Sequence, residues 1–250
     1  MRSLIALATL TLACTGLPCF AQTATRLRDA NAHSWWVYYG EHPVGKSRWS
    51  LLSEVQVRRS RFASGWQQLL IRDGLLYNFS PNVQVGGGYG FINTSRYGDF
   101  PVAKAFQEHR IFAQLVLKHR AGTVDFEHRY RVEKRFMEAF RGSENYWRPQ
   151  NRFRYQLRSA VPFSKMDTQG RQWYFFAGDE VMLGFGANYG ASVFDQNRAF
   201  AGVGYRVTRN NRLEVGYLHQ FVVQRSGSIE ESNHTFRVQF TSFAKLFGQK

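Results

Sequence analysis

Residues 122–136 read GTVDFEHRYRVEKRF, and the alternation of side chains in this stretch decides the fold class. Every second residue is apolar or aromatic apart from one histidine: Val124, Phe126, His128, Tyr130 and Val132. The residues between them are all charged: Asp125, Glu127, Arg129, Arg131, Glu133 and Arg135. Successive side chains of a β-strand point to opposite faces, so the stretch predicts a strand with one apolar face and one charged face.

The same period of two recurs along the chain. It predicts ten long strands, at residues 48–59, 66–79, 83–94, 106–118, 122–136, 151–163, 173–185, 197–207, 212–224 and 231–243. Most are close to or somewhat above the roughly 9 to 11 residues of a tilted membrane strand. We therefore expect an all-β protein, an antiparallel transmembrane β-barrel of about ten to twelve strands. A soluble periplasmic β-protein is the alternative fold.

The connections between these strands alternate in length. Tight turns at residues 80–82, 120–122 and 209–211 alternate with longer connections at residues 96–104, 137–149, 186–194 and 225–232, while residues 164–171 are ambiguous. Outer-membrane barrels have short periplasmic turns and longer external loops, and an even strand count returns both termini to the periplasm. A short additional strand candidate at residues 34–40 would make the strand count odd. It is interpreted as a partial strand, as half of an unrecognised strand pair or as an N-terminal plug.

Aromatic side chains near the predicted strand ends suit the two interfacial girdles of a membrane barrel. They are Trp49, Trp66, Tyr77, Phe79, Trp173 and Phe185. High β propensity alone also explains them.

The first 21 residues have the pattern of a secretory signal peptide. Arg2 is a short positive region, residues 4–13 are apolar, and Ala21 ends the segment with a small residue. The apolar run is shorter than the roughly 18 to 20 residues of a membrane helix. Cleavage after Ala21 leaves residues 22–250 as a single outer-membrane barrel domain, and a lipoprotein modified at Cys14 fits less well. Because Cys14 and Cys19 are removed, no thiol, disulfide or cysteine–metal site is expected.

The chain has a formal net charge of +15, and 16% of its residues are aromatic. For an exported protein this charge favours contact with lipid phosphates and anionic solutes over nucleic acid. The expected partners are outer-membrane lipid and lipopolysaccharide, the barrel assembly machinery and, in one interpretation, a small anionic solute. No cofactor or metal site is predicted.

The charged faces of the predicted strands all point into the barrel, where arginine outnumbers carboxylate. The candidate lumen network consists of Glu108, Arg110, Glu127, Arg129, Arg131, Glu133, Arg135, Arg152, Arg154, Glu180 and Arg198. A barrel of this size is only slightly wider than one whose side chains fill it. Charges removed from water must pair, which predicts a packed ion-pair network closing the lumen. A narrow, porin-like passage that prefers anions is the alternative.

Signals for catalysis are weaker. Asp179 and Glu180 are neighbours on a strand and point to opposite faces, so they cannot act as a facing acid and base. An outer-membrane hydrolase or acyl-transfer enzyme would need a site at the extracellular mouth. Carboxylates available there are Asp99, Glu138, Glu144, Asp195 and Glu230. No catalytic residue is assigned.

Several motifs resemble a family of bacterial outer-membrane barrels known as domain of unknown function number twenty-four ninety. They are RDGLLY (72–77) leading to SPN (80–82), GY (88–89), EHR (108–110), HRYRVEKRF (128–136), RFRY (152–155), DEV (179–181), FDQNR (194–198), GVGY (202–205) and EVGY (214–217). The resemblance covers nearly all of the exported chain and implies a barrel but no activity. Such barrels often end on an aromatic residue, whereas this chain continues through residues 244–250, which puts the closing residue in doubt.

Overall fold

The computed structural model describes residues 26–102, 104–186, 188–190 and 192–245, which contain eleven strands and no helix. The strands are β1 (Leu27–Pro43), β2 (Trp49–Ser60), β3 (Gly65–Ser80), β4 (Val83–Thr94), β5 (Phe106–Ala121), β6 (Val124–Arg141), β7 (Glu144–Pro162), β8 (Gln172–Phe185), β9 (Phe194–Arg206), β10 (Asn211–Val223) and β11 (Ile229–Ser242). The predicted signal peptide, its two cysteines and the last five residues lie outside the described part.

The strands form a closed all-β barrel, as the alternation predicts. Consecutive strands pair antiparallel, and β1 closes the barrel by pairing parallel to β11, with Leu27 opposite Ile229 and Gly40 opposite Ser242. The short candidate at residues 34–40 is thus the second half of a full strand. The sheet is mixed rather than wholly antiparallel, and the expectation that both chain ends lie at one end of the barrel is wrong. A parallel seam places the start of β1 and the end of β11 at opposite ends.

The two ends of the barrel are named here by their connections. The turn end carries residues 44–48, 81–82, 122–123, 163–171 and 207–210, together with the end of β11. The loop end carries residues 61–64, 95–102, 104–105, 142–143, 186, 188–190, 192–193 and 224–228, together with the start of β1. Residues 137–149, predicted as a long loop, instead extend β6 and β7 into a hairpin that turns at Gly142, whose φ is 63°.

The predicted inward and outward faces agree with the structure. On β5, Gln114 is buried and bonded to Arg131 inside the barrel, while Ile111 and Leu115 lie on the outer surface. Asp179 is exposed outside, where it accepts a hydrogen bond from Asn197 Nδ2 at 2.6 Å, and Glu180 is buried inside. Alternation of side chains alone therefore predicts correctly which face of each of these strands points into the barrel.

Inside the barrel, aromatic rings pack over glycines of neighbouring strands. A Cβ atom on Gly178 would collide with the ring of Phe200, and one on Gly202 would collide with that of Phe176. These rings belong to an apolar cluster that fills part of the interior: Trp35, Val37, Tyr174, Phe176, Phe200 and Leu218. Strand glycines thus make room for large inward side chains, which is one of their recurring uses in curved sheets.

The outer surface is rich in exposed apolar and aromatic side chains. Trp49, Phe79 and Trp173 are exposed near the turn end, while Trp66 and Phe185 are exposed near the loop end. This distribution agrees with two predicted rings of aromatic residues. Among the described residues, no helix is long and apolar enough to cross a membrane.

Candidate functional site: an arginine-rich lumen

Glu133 is the centre of the charge network inside the barrel. Its side chain is fully buried, and Arg152 donates to Oε2 from Nη2 at 2.5 Å and from Nε at 2.9 Å. Arg154 Nη1 donates to Oε1 at 2.8 Å. Three further guanidiniums each have a nitrogen 3.9 Å from a carboxylate oxygen of Glu133: those of Arg72, Arg110 and Arg131. One carboxylate therefore holds five arginines, each of which would be costly to bury alone.

Two more carboxylates continue the network towards the loop end. Glu108 accepts from Arg110 Nε at 2.6 Å and from Arg135 Nε at 2.5 Å, both at Oε1. Asp195 accepts from Arg152 Nη1 at 3.1 Å and lies 3.8 Å from Arg135 Nη1. Asp195 lies next to a long connection, as predicted: it is the second residue of β9 and is part of the ion-pair network.

Glu180 connects the network to β9. It accepts from Arg154 Nη2 at 2.7 Å and from Arg129 Nη2 at 3.1 Å, and Arg198 Nη1 lies 3.6 Å away. Ten of the eleven predicted network residues therefore lie in one connected group. The exception is Glu127, which is partly exposed nearer the turn end with Lys118 Nζ at 4.0 Å.

Strand register explains why carboxylates are needed at these positions. Arg110 lies directly opposite Arg135, and Arg131 lies directly opposite Arg154. Like charges directly opposite each other destabilise a sheet. Glu108 binds both members of the first pair, and Glu133 contacts both members of the second.

Other lumen arginines have no such partner. Among the described residues, no carboxylate oxygen lies within 4.0 Å of the guanidinium nitrogens of Arg58, Arg206, Arg212 or Arg237. Arg58 instead donates to Gln68 Oε1 at 2.5 Å and stacks 3.9 Å above the ring of Trp35. The positive charge that the sequence predicts is therefore only partly neutralised within the barrel.

A cavity of about 1320 Å³ occupies the interior and reaches side chains at both ends. Lys118 and Arg212 line it near the turn end, and Lys104 and Arg148 line it near the loop end. Among its described lining residues, fifteen arginines and two lysines face ten carboxylates. The space is thus bordered by an excess of positive charge.

Comparison with known families matches residues 32–231 to the family described as Protein of unknown function (DUF2490). The chain belongs to this family. The match runs from β1 to the start of β11 and so includes the whole charge network. No curated protein and no solved structure matches the chain.

At the loop end of this DUF2490 barrel, residues 95–102 fold over the mouth. The backbone N–H groups of Asp99 and Phe100 donate to the buried carboxylate of Asp29 at 3.3 and 3.4 Å. Tyr97 Oη donates to Glu231 Oε2 at 3.1 Å, and burial, reinforced by the Glu231 charge, raises the pKa of this phenol so that it stays protonated. The sequence offered no sign of this lid, because its contacts join residues far apart in the chain.

Three of the five candidate catalytic carboxylates have separate partners in the DUF2490 barrel. Asp195 is bound by Arg152, Glu138 accepts from Asn145 Nδ2 at 3.0 Å, and Glu230 pairs with Arg28 at 2.8 Å. Among the described residues, no group of three or more His, Cys, Asp or Glu side chains could hold a metal ion.

Proposed function

We propose that this protein is an outer-membrane β-barrel whose lumen forms a narrow passage preferring small anions. The observation that carries the proposal is the cavity, which reaches both mouths and is lined by more arginines than carboxylates.

The outer surface supports a membrane position. Its strands have 12 to 19 residues, enough for the roughly 9 to 11 that a tilted membrane strand needs. Apolar side chains such as Ile111, Val132 and Leu75 are exposed along them. In water these surfaces would be costly to leave uncovered, whereas lipid covers them without cost. Export through residues 1–21 belongs to the same proposal.

The lining supports a preference for anions. Rings of arginine and lysine side chains select anions by attracting them electrostatically and repelling cations. Arg58, Arg206, Arg212 and Arg237 line this cavity, and among the described residues no carboxylate oxygen lies within 4.0 Å of their guanidinium nitrogens. The buried network around Glu133 narrows the lumen, so the expected conductance is small.

The enzymatic alternative, a hydrolase or acyl-transfer enzyme at the outer mouth, has less support. Three of its five candidate carboxylates, Glu138, Asp195 and Glu230, are held by separate partners. A catalytic acid and base need to be within hydrogen-bond reach of one substrate.

The first experiment tests the membrane position. The protein should fractionate with the outer membrane and change its gel mobility on boiling, because a closed barrel resists detergent until it is heated. Recovery in the soluble periplasmic fraction would contradict the proposal.

The second experiment measures ion selectivity in planar bilayers under a salt gradient. We expect a reversal potential that indicates anion preference and weakens at high salt, where the lumen field is screened. Arg237→Gln should reduce this preference because it removes an unpaired charge. Arg154→Glu should instead impair folding, since Arg154 binds both Glu133 and Glu180. Cation preference or absence of conductance in the unchanged protein would refute the passage.

A further inference from the structure

Arg206 and Arg212 form a third arginine pair across neighbouring strands of the barrel. Arg206 on β9 lies directly opposite Arg212 on β10, and both line the cavity near the turn end. In the other two such pairs, a glutamate binds or contacts both guanidiniums. Among the described residues, no carboxylate does so for Arg206 and Arg212.

The two carboxylates whose charges act on this pair, Asp125 and Glu214, are already bound by other arginines, Arg120 and Arg158. Glu214 follows Arg212 by two positions on the same face, where it is bound by Arg158 and accepts from Tyr174 Oη at 2.8 Å. The charge of Glu214 is therefore already paired with that of Arg158.

The guanidiniums of Arg206 and Arg212 have N–H donors without hydrogen-bond partners among the described residues. The Nε atoms of Arg206 and Arg212 are both buried and have no hydrogen-bond partner among the described residues. The guanidinium of Arg212 stacks over the ring of Phe243 at 4.8 Å. Stacking against the Phe243 ring fixes the plane of the guanidinium, and the N–H groups at its edge can still donate hydrogen bonds. A guanidinium whose N–H groups lack acceptors is unfavourably placed inside a protein, and a bound anion would supply acceptors to those N–H groups that face the cavity.

We infer that Arg206 and Arg212 form a binding site for a phosphate group at the turn-end mouth. A bound phosphate would do for this pair what Glu108 does for Arg110 and Arg135. Each guanidinium can donate two parallel N–H bonds to an oxyanion. A phosphate group also carries more negative charge than a carboxylate near neutral pH, so it matches the two positive charges of the pair better than a carboxylate would. The inference rests on the proposed function, because an anion passing through the lumen must pass this mouth.

The test titrates inorganic phosphate into the refolded full-length protein in an uncharged detergent, with calorimetry as the readout. Glycerol phosphate is titrated separately, and acetate serves as the carboxylate comparison. We expect inorganic phosphate to bind and acetate to bind at least tenfold more weakly. Binding of glycerol phosphate as well would identify phosphate monoesters as ligands, and its failure to bind would identify free phosphate.

Matched variants assign the site. Arg206→Gln and Arg212→Gln should each weaken phosphate binding at least tenfold. Arg209→Gln removes the same charge from the exposed turn at the same mouth and should change binding less than twofold. Equal losses in all three variants would indicate a diffuse field rather than a site and would overturn the inference. So would the absence of phosphate binding to the unchanged protein.

Thermal stability provides a second measurement that does not depend on calorimetry. Phosphate should raise the temperature at which the unchanged barrel loses its compact gel mobility, since a ligand that binds only the folded state stabilises it. In Arg212→Gln that rise should disappear. A rise of the same size in Arg212→Gln as in the unchanged protein would contradict the inference.

The two proposals can fail separately. Phosphate binding that depends on Arg212, in a protein that conducts no ions, would retain the site and refute the passage. Anion-selective conductance without phosphate binding would retain the passage and refute the site.

Discussion

Replacing Glu133 with glutamine should destabilise the barrel more than the same replacement at another inward glutamate. Glu133 is fully buried among five guanidiniums, two of which donate to it within 3 Å. Glutamine keeps the shape and one acceptor oxygen but removes the negative charge and turns an NH₂ group towards cations. Removing one partner of a buried ion pair costs about 3 to 5 kcal/mol, and we expect Glu133→Gln to lower the free energy of unfolding by that amount.

Glu127→Gln is the matched control for this variant. Glu127 lies on the same strand and the same face, but its side chain is 34% exposed and its ion-pair contact is Lys118 Nζ at 4.0 Å. An ion pair of this kind contributes about 0 to 1 kcal/mol. Unfolding in urea, followed by tryptophan fluorescence and extrapolated linearly to zero denaturant, measures both variants. Equal losses for the two variants, or a loss below about 1 kcal/mol for Glu133→Gln, would show that the network does not stabilise the barrel as argued.

Two further predictions concern the outer face and the loop-end lid. Leu115→Arg should impair assembly into membranes more than Gln114→Arg. Arginine facing mid-bilayer lipid costs about 2 to 4 kcal/mol, whereas the lumen, which Gln114 faces, already holds charge. Comparable assembly yields for the two variants would mean that the outer face does not meet lipid. Asp29→Ala removes the carboxylate that holds residues 95–102 over the mouth. Single-channel conductance should therefore rise, while the preference for anions persists. Unchanged conductance would show that the lid does not limit the passage.

Where one face of a strand is apolar and the other charged, the sequence predicts the strand and its inward side. In the middle of β6 and β7 this pattern is nearly complete, and the predicted faces agree with the structure. On β1 it fails at the first half of the strand. The inward side chains of Asp29, Asn31 and His33 alternate with small residues such as Ala30 and Ala32, so no apolar face is visible there. Pairing with β2 and β11 stabilises that segment. Its partner residues on β11 are about 200 positions away along the chain.

The apolar part of the lumen was missed for a different physical reason. Trp35 and Trp36 are adjacent, yet the first packs inside the barrel and the second lies outside. Leu218 likewise packs inside the barrel, and the residue before it, Tyr217, is aromatic and lies outside. Alternation of hydrophobicity carries no signal where both faces are apolar, so such strands reveal their register only through their neighbours.

The candidate site was predictable in composition but not in its connections. The sequence indicates that arginines outnumber carboxylates on the inward faces. Which arginines share a carboxylate depends on the register between strands: Arg110 and Arg135 meet around Glu108, whereas Arg206 and Arg212 meet with no carboxylate between them among the described residues. A uniform excess of charge would predict only a general attraction for anions. An excess concentrated at particular cross-strand pairs predicts discrete binding positions along the lumen, and an anion would then move between positions separated by closely packed, ion-paired regions such as that around Glu133.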